Sequence, residues 1–385
     1  MTRLDDVALL QRLVAFDTVS QRSNLPLLDF LADYLDGPGV RISQLAAPDG
    51  LKANLLVELG PTPDGTRGGL LLSGHTDVVP ADETDWVSDP FRLSEREGRL
   101  FGRGAADMKG FLAVATNVAA AVSPAGLRQP LVLLFTYDEE VGTLGARHFV
   151  DGWTHRERLP RAVLIGEPTR LRVVAAHKGF VHVRVDLSGV SAHSGYPHLG
   201  RSAIEPAAEV VRALTAVRRQ LEAERVSSSA WFPEVPFVPL NVGVIHGGAA
   251  PNVIPDRCTL EITLRPLPGM DAAPLLDRVQ DAVRASAGAA PWACTVVSES
   301  PPMLTAPETP ILRALGAITG QVTPETVSYA TDAGWLQTLD CDCAVCGPGD
   351  IATAHKPNEH MPVADLRGAR DLVERLVTRC CGGDA

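Results

Sequence analysis

Apolar and polar positions follow two different periods along the chain. Residues 4–16 and 27–35 repeat apolar side chains at helical spacing, so the chain is predicted to begin with two helices. Later apolar runs pass abruptly into polar or acidic residues, at 70–75, 131–137 and 162–165. Continuous apolar runs of this length, separated by helical stretches such as 108–122, are typical of a mostly parallel sheet covered on both faces. Ligands of such sheets bind beyond the carboxyl ends of the strands.

After about residue 178 the pattern changes to strict alternation, with Val181, Val183 and Val185 separated by polar side chains. This alternation predicts a strand that is exposed on one face. Helical patterns and further strands complete a β-α-β-β-α-β order, at 203–225, 241–245, 260–264, 272–287 and 294–297. That order is the ferredoxin-like one.

From about residue 301 the chain is predicted to return to the first sheet, through a helix at 309–318 and a strand at 344–346. We therefore expect an α/β fold of two domains. The larger is discontinuous, with residues 1–177 and 299–385, and residues 178–298 form an inserted α+β domain.

Composition supports a folded protein of this size. The 385 residues are 45% hydrophobic and 21% charged, which is ordinary for a globular chain long enough for two cores. The formal charge of -11 repels phosphate and anionic lipid, so nucleic acid and membrane surfaces are not expected partners.

Neither export nor membrane insertion is expected from the sequence. Its start has no signal-peptide pattern, and the longest apolar stretch, 111–122, is shorter than the roughly 20 residues that span a bilayer. Seven cysteines, an odd number concentrated near the end, favour reduced thiols over a disulfide framework. We expect a cytoplasmic protein in which the late cysteines are buried thiols and not a zinc site.

Side chains of the metal-binding type follow the predicted buried strands. His75 and Asp77 end the first apolar run, the adjacent Glu139 and Glu140 follow the second, and Glu167 follows the third. Asp107 opens a helix after a glycine-rich segment, and His355 lies near the C-terminus. A two-metal hydrolase needs such ligands, one shared carboxylate and a free carboxylate as base.

Several details of these positions bear on their roles. Asp107 is the natural shared carboxylate, and Asp77 is placed to reach the far nitrogen of a metal-bound His75. Glu139 and Glu140 would repel each other without a cation or proton, so one can bind metal while the other acts as base. Each residue alone could be an ordinary loop or capping residue, but together they favour metal chemistry.

The segments 73–80, 102–110, 138–140, 166–169 and 354–359 resemble the M20 metallopeptidase family of aminoacylases, carboxypeptidases and desuccinylases, from about residue 5 to 370. The resemblance implies a zinc-peptidase-like catalytic domain with two zinc ions, for which cobalt could substitute. His75 and Glu167 would ligate one ion beside the bridging Asp107, and Glu140 and His355 the other. Asp77 would be the orienting acid, Glu139 the general base, and the 107–108 peptide bond cis.

The resemblance also gives the inserted domain a role as a lid and dimerisation domain, and implies a homodimer. His193 resembles the lid histidine that stabilises the oxyanion, in dimeric relatives from the opposite subunit. Arg265 ends a strand on its polar side, and its guanidinium suits an α-carboxylate. Asn252 and Gly334 resemble substrate contacts of the family.

The substrate implied is a small-molecule N-acyl amino acid. Segments 251–255, 265–269 and 347–350 resemble most the branch that converts N2-acetyl-L-ornithine to ornithine and acetate in arginine biosynthesis. One departure is Asp332, where that branch commonly has Glu. The alternatives are N-succinyl-diaminopimelate, N-acetylcitrulline, other N-acyl amino acids or dipeptides, and a binding protein that keeps the fold without activity.

Overall fold

The computed structural model describes residues 3–62, 65–81 and 84–382, and the chain divides into two compact units. The larger comprises Met1–Ala176, Met303–Glu325 and Thr331–Ala385, and the smaller comprises His177–Pro302 and Thr326–Ala330. The sequence placed residues 177, 299–302 and 326–330 in the larger domain, and the structure groups all of them with the smaller. The reason is that a strand of the smaller sheet extends to Ser300, and the Lys178 N–H donates to the Val327 carbonyl at 3.3 Å.

The six helices predicted from the apolar spacing are present, and the structure adds helices at Leu144–Gly152, Ala333–Gln337 and Val363–Cys381. The helices are α1 (Asp6–Val14), α2 (Leu25–Leu35), α3 (Gly110–Ala121), α4 (Leu144–Gly152), α5 (Ile204–Ala223), α6 (Ala272–Ser286), α7 (Pro310–Thr319), α8 (Ala333–Gln337) and α9 (Val363–Cys381). The strands are β1 (Val40–Ala46), β2 (Ala53–Leu59), β3 (Leu70–His75), β4 (Ser94–Arg96), β5 (Arg99–Phe101), β6 (Leu131–Thr136), β7 (Ala162–Pro168), β8 (Val174–His177), β9 (Phe180–Ser188), β10 (Ala192–His193), β11 (Leu240–Gly247), β12 (Val253–Ile254), β13 (Arg257–Leu264), β14 (Trp292–Ser300), β15 (Met303–Leu304), β16 (Glu325–Val327), β17 (Asp342–Gly347) and β18 (His360–Pro362).

The main sheet has the strand order β1-β2-β6-β3-β7-β17-β8-β15, and β16 pairs with β8. Its four central strands, β6, β3, β7 and β17, are parallel, which confirms the parallel sheet predicted from the apolar runs. Antiparallel pairings of β1 with β2, β2 with β6 and β17 with β8 flank them, so the sheet as a whole is mixed.

Helices cover this sheet because their apolar stripes match its buried surface. Strands β2, β3 and β6 are buried along their whole length. Helix α1 buries Leu9, Leu10 and Leu13 in the same core, and each such leucine contributes about 1.5–3 kcal/mol. The Asp5 side chain caps α1 by accepting from the Ala8 N–H at 2.7 Å.

Parallel pairing places the ends of the central strands at one edge. In the ladder between β3 and β6, His75 lies opposite Thr136, the last residue of each strand. Strand β7 pairs with the other side of β3 in the same direction. The loops that carry the acidic residues therefore leave from a single edge of the sheet.

The smaller unit contains an antiparallel sheet of order β11-β13-β9-β14 with helices α5 and α6. In chain order this is β9, α5, β11, β13, α6, β14, so the predicted β-α-β-β-α-β order is confirmed. The predicted alternation in β9 is also present, since Val181, Val183 and Val185 are buried between more exposed residues.

The structure can be compared with two expectations from composition: reduced cysteines and the lack of a membrane-spanning helix. The cysteines are free thiols; Cys341, Cys343, Cys346 and Cys381 are buried, and Cys380 is half-buried. Among the helices of the described residues, none combines the length and apolarity needed to cross a membrane.

Close packing between β7 and α3 leaves no room for a side chain at Gly166. A Cβ there would lie 1.9 Å from Cγ of Phe111. We expect Gly166→Ala to lower the free energy of unfolding by about 1–3 kcal/mol or more, because overpacking forces neighbouring groups apart. Urea denaturation monitored by circular dichroism measures this loss.

The matched control is Gly126→Ala, since a Cβ at Gly126 meets no described atom within 4 Å. It should unfold at nearly the wild-type urea concentration. An unchanged midpoint for Gly166→Ala would contradict the packing of β7 on α3.

Candidate metal centre

The predicted ligands come together at the carboxyl edge of the main sheet. His75 is the last residue of β3, Glu167 lies near the end of β7, and Glu140 follows β6. Asp107 lies in the turn Ala105–Lys109, which follows Gly104 with φ +78° and is not helical at Asp107 and Met108. His355 comes from the loop between β17 and β18. The 107–108 peptide bond is cis, as expected.

Two groups of potential ligands share Asp107. In the first, His75 Nε2 lies 2.9 Å from Asp107 Oδ1 and 3.9 Å from Glu167 Oε1. In the second, His355 Nε2 lies 3.1 Å from Asp107 Oδ2 and 2.9 Å from Glu140 Oε2. The ligand atoms of each group all lie within 4.8 Å of one another. Asp107 therefore presents one oxygen to each group, which is the arrangement of a bridging carboxylate.

The two groups differ in exposure. All three residues of the first group are buried, whereas in the second Asp107 is buried, Glu140 is half-buried and His355 is exposed. The His355 side chain is 48% exposed and that of His75 only 1%. The second group is thus the one that solvent reaches.

Burial and mutual repulsion disfavour the charged forms of the carboxylates. Burial, followed by the charges of neighbouring acids, raises the pKa of both Glu139 and Glu167 well above the usual value. The same causes raise the pKa of Glu140 to about 7. Asp107 behaves differently: burial raises its pKa, but hydrogen bonds from His355 and His75 hold it below the usual value.

The pKa values of the two imidazoles are shifted in response to these carboxylates. Hydrogen bonds to Asp107 and Glu140 raise the pKa of His355 to about 10. Burial alone would lower the pKa of His75, yet the hydrogen bond to Asp107 and the charges of Glu167, Asp107 and Asp77 raise it. These shifts mark a concentration of negative charge, and the nitrogen and oxygen donors of the site fit divalent cations.

Asp77 contacts His75 differently from the sequence expectation. His75 Nδ1 lies 2.9 Å from the main-chain carbonyl of Asp77 and 3.6 Å from its carboxylate Oδ1. The carboxylate is instead occupied by hydroxyl and amide donors: Ser20 Oγ at 2.8 Å and the N–H groups of Glu139 and Glu140 at 3.1 and 3.3 Å. Asp77 thus holds His75 through its backbone. Its side chain holds the loop that carries Glu139 and Glu140, called here the glutamate loop.

The glutamate loop is held at a second point. Asp138 has φ +53°, and its carboxylate pairs with Lys52 Nζ at 2.6 Å. The carbonyl of Glu139 accepts from the N–H groups of Gly142 and Thr143 at 3.0 and 2.9 Å. These bonds fix the backbone from which Glu139 projects.

Asp332 and Gly334 lie in the larger unit, at the start of α8. Asp332 is buried and accepts from Thr136 Oγ1 at 2.6 Å. Burial raises its pKa to about 6, although the bond from Thr136 acts in the opposite direction. Gly334 is buried and its N–H donates to the Thr331 carbonyl at 3.3 Å.

The other predicted residues belong to the smaller unit. His193 is exposed on β10, where it pairs with Val253. Its Nδ1 accepts from the Gly195 N–H at 3.0 Å, so the neutral ring carries its proton on Nε2. The main-chain carbonyl of Asn252 accepts from the N–H of Ser194, the residue after His193, at 2.9 Å.

Arg265 follows β13 in the same unit, and its guanidinium lies 4.7 Å from the ring centroid of Phe180. Burial lowers the pKa of Arg265. The aromatic contact holds the planar guanidinium in one orientation.

Sequence reasoning assigned no role to three buried charged residues near the ligands: Arg103, Lys109 and Glu359. Lys109 Nζ donates to the Phe16 carbonyl at 2.8 Å, and burial lowers its pKa to about 7. The available signal was that all three lie in the motif segments 102–110 and 354–359, where Arg103 and Lys109 adjoin glycine.

Comparisons with known proteins identify the family of the chain. The sequence profile described as peptidase family M20/M25/M40 matches residues 71–379. The chain is 37% identical over 387 residues to acetylornithine deacetylase of Myxococcus xanthus, covering 98% of this chain and 97% of that one. It is 35% identical over 371 residues to acetylornithine deacetylase of Pectobacterium atrosepticum, covering 95% and 94%.

The fold is also shared with solved structures. The M20 family metallo-carboxypeptidase of Sulfolobus solfataricus aligns with a TM-score of 0.79 at 16% identity, over 98% of this chain and 99% of that one. The resemblance drawn from the sequence motifs is thereby confirmed, and the chain belongs to the M20 family of peptidases and amidohydrolases.

Proposed function

We propose that this chain is a two-metal amidohydrolase that removes the acetyl group from N2-acetyl-L-ornithine, giving ornithine and acetate in arginine biosynthesis. The observation that carries the metal chemistry is the position of Asp107, whose two oxygens face two separate ligand groups. The substrate is supported by two relatives named acetylornithine deacetylase that align over nearly the whole chain.

The proposed ions are zinc, with cobalt as a possible substitute. His75, Asp107 and Glu167 would hold one ion, and Asp107, Glu140 and His355 the other. Imidazole and carboxylate donors in groups of three suit catalytic zinc. When bound, such ions lower the pKa of water toward 7 and polarise the scissile carbonyl.

Glu139 is the proposed general base. A carboxylate oxygen of Glu139 takes the proton of the attacking water and later delivers it to the leaving nitrogen. Two features support the role: its pKa is raised by burial and by Glu167, so it can hold a proton, and its backbone is fixed by Asp77. Asp77 also orients His75 through the main-chain carbonyl.

The smaller unit is proposed to supply substrate contacts as a lid. His193 would donate from Nε2 to the oxyanion, a role supported by the Gly195 bond to Nδ1. Arg265 would bind the α-carboxylate of the substrate as a planar fork. Asn252, and Gly334 from the larger unit, would contact the remainder of the substrate.

Hydrolysis of a panel of amides with and without a chelator tests the proposal. We expect purified protein to hydrolyse N2-acetylornithine faster than N-acetylcitrulline, N-succinyl-diaminopimelate or a dipeptide, as measured by release of free amine. A chelator should abolish this activity, and zinc or cobalt should restore it, because Asp107 and its partners supply the ligands.

Each other outcome has a distinct meaning. Preference for another amide would replace the acetylornithine assignment. Such a preference would fit the presence of Asp332, where the acetylornithine branch commonly has Glu. Hydrolysis that survives complete metal removal would refute the metal mechanism. A protein that binds two ions yet hydrolyses none of the four compounds would be the non-catalytic scaffold.

Substitution of the proposed base separates chemistry from metal binding. Glu139→Gln should lower kcat by about 10²-fold or more, because a positioned base contributes at least that much. Its metal content, measured by elemental analysis, should remain that of the wild type. The matched control is Glu308→Gln at an exposed position, and near-normal turnover of Glu139→Gln would remove Glu139 from the role.

We further propose a cytoplasmic homodimer that assembles through the smaller unit. Strand β11 lies at the edge of its sheet, and it exposes Val244 and Ile245 at 53% and 54%. An apolar strand edge is a site for pairing with a second chain. The free thiols suit a reducing compartment.

Mixed dimers test whether His193 acts on the opposite subunit. Equal amounts of His193→Ala and Glu139→Gln chains, unfolded and refolded together, should regain up to about a quarter of wild-type activity. This follows because half of randomly paired dimers are mixed and one of their two sites is then intact. Native mass spectrometry verifies mixing, and no recovery in verified mixed dimers would place the action of His193 within one chain.

A further inference from the structure

Glu359 is the last residue of segment 355–359, and its carboxylate accepts four hydrogen bonds from the loop that carries Asp107. Oε1 accepts from the N–H groups of Ala106 and Asp107 at 2.9 and 3.1 Å. Oε2 accepts from the Gly104 N–H at 3.1 Å and from Arg103 Nη1 at 2.9 Å. The Glu359 side chain is only 1% exposed, so water does not compete for these bonds.

Arg103 balances the buried charge of Glu359 and links it to two further segments. Its Nη2 donates to the Pro80 carbonyl at 2.9 Å, and its Nη1 approaches the Lys356 carbonyl at 3.3 Å. Its guanidinium lies 5.1 Å from the ring centroid of Trp86. A paired and hydrogen-bonded buried charge of this kind keeps a fixed position.

The main chain of Glu359 is tied to the same loop. The Gly102 N–H donates to the Glu359 carbonyl at 3.1 Å, which continues the ladder between β5 and β18. In that ladder His360 lies opposite Phe101. The segment that follows His355 and the segment that precedes Asp107 are therefore joined by both backbone and side chain.

The Asp107 loop needs such an acceptor because its own backbone is not helical. Asp107 and Met108 have φ/ψ of -118°/93° and -133°/35°, outside the helical region. The amides of Gly104, Ala106 and Asp107 point to the Glu359 carboxylate instead. Buried amides require such partners, and here one side chain supplies all of them.

We propose that Glu359 is a positioning residue for the metal pair: it fixes the bridging carboxylate of Asp107 relative to His355 and so sets how tightly two divalent cations bind. This inference rests on the proposed two-metal function. Glu359 acts through Asp107, whose N–H it binds and whose side chain faces both ligand groups. An amide in its place would turn an NH₂ group toward amide donors and break half of the four bonds.

Metal affinity is the measurement that tests the proposal. Metal-stripped wild type and Glu359→Gln are titrated with zinc against a fluorescent zinc chelator, and the absorption spectrum of the cobalt form is recorded. Glu359→Gln should bind zinc about 10- to 100-fold more weakly, the range for residues that orient metal ligands. Its cobalt spectrum should change, because Asp107 would approach the ions from a different angle.

The matched control is Glu58→Gln. Glu58 is also a buried carboxylate paired with arginines, Arg41 and Arg158, both at 2.8 Å. It lies opposite Val132 near the start of β6, at the other end of that strand from the ligand edge. Glu58→Gln should lower thermal stability yet keep the zinc affinity and cobalt spectrum of the wild type.

The outcomes separate this inference from the proposed function. Wild-type zinc affinity and cobalt spectrum in folded Glu359→Gln would overturn the positioning role alone. Equal weakening in Glu58→Gln would overturn it too, since the effect would then be general. A wild type that binds no zinc would refute the two-metal function itself.

A further variant and measurement apply if Glu359→Gln does not fold. Glu359→Asp keeps the charge but is shorter by one methylene, so it should also weaken zinc binding. In metal-free wild type, the amides of Gly104, Ala106 and Asp107 should exchange hydrogen slowly, and faster in Glu359→Asp. Rapid exchange of these amides in the metal-free wild type would overturn the proposal.

Discussion

Repulsion among buried carboxylates at one sheet edge is the constraint on which the rest of the larger unit depends. Asp107, Glu139, Glu140 and Glu167 converge where parallel strands end, and burial makes every negative charge there costly. Their backbones are held by a strand end, a fixed turn and a loop anchored by Asp77, and the imidazoles of His75 and His355 lie among the carboxylates. Divalent cations would neutralise the negative charge of these carboxylates, so the same arrangement is suited to binding metal.

The sequence predicted the parts of this arrangement that depend on side-chain type. Buried strands β3, β6 and β7 were found because their apolar runs end in residues that cannot be buried without partners. The ferredoxin-like order was found because β9 alternates strictly between apolar and polar residues and because the apolar residues of helix α5 recur at helical spacing. Strands β1 and β2 were missed: β1 is half-buried with no clear period, and the apolar run of β2 is interrupted by Asn54 and Glu58.

The parts that could not be predicted depend on the backbone. Asp77 was expected to orient His75 through its carboxylate, but the nearer atom is its carbonyl, and every residue has a carbonyl. The partners of Glu359 are likewise amides of Gly104, Ala106 and Asp107, which no side-chain pattern indicates. Residue spacing shows which groups are available, whereas the turn at Ala105–Lys109 decides where they point.

The larger unit is discontinuous in sequence, so its N-terminal part is synthesised before the smaller unit and its C-terminal part afterwards. The chain leaves this unit after Ala176 and returns at Met303, whereas most of the smaller unit is one continuous stretch between them. Four of the five potential ligands leave the ribosome within the first 167 residues, but His355 follows long after. Domains fold as units during synthesis, so the inserted unit can fold before the second ligand group is complete. The larger unit cannot be completed until the C-terminal segment is synthesised, because that segment carries both strand β17 of the main sheet and the third member of the second ligand group.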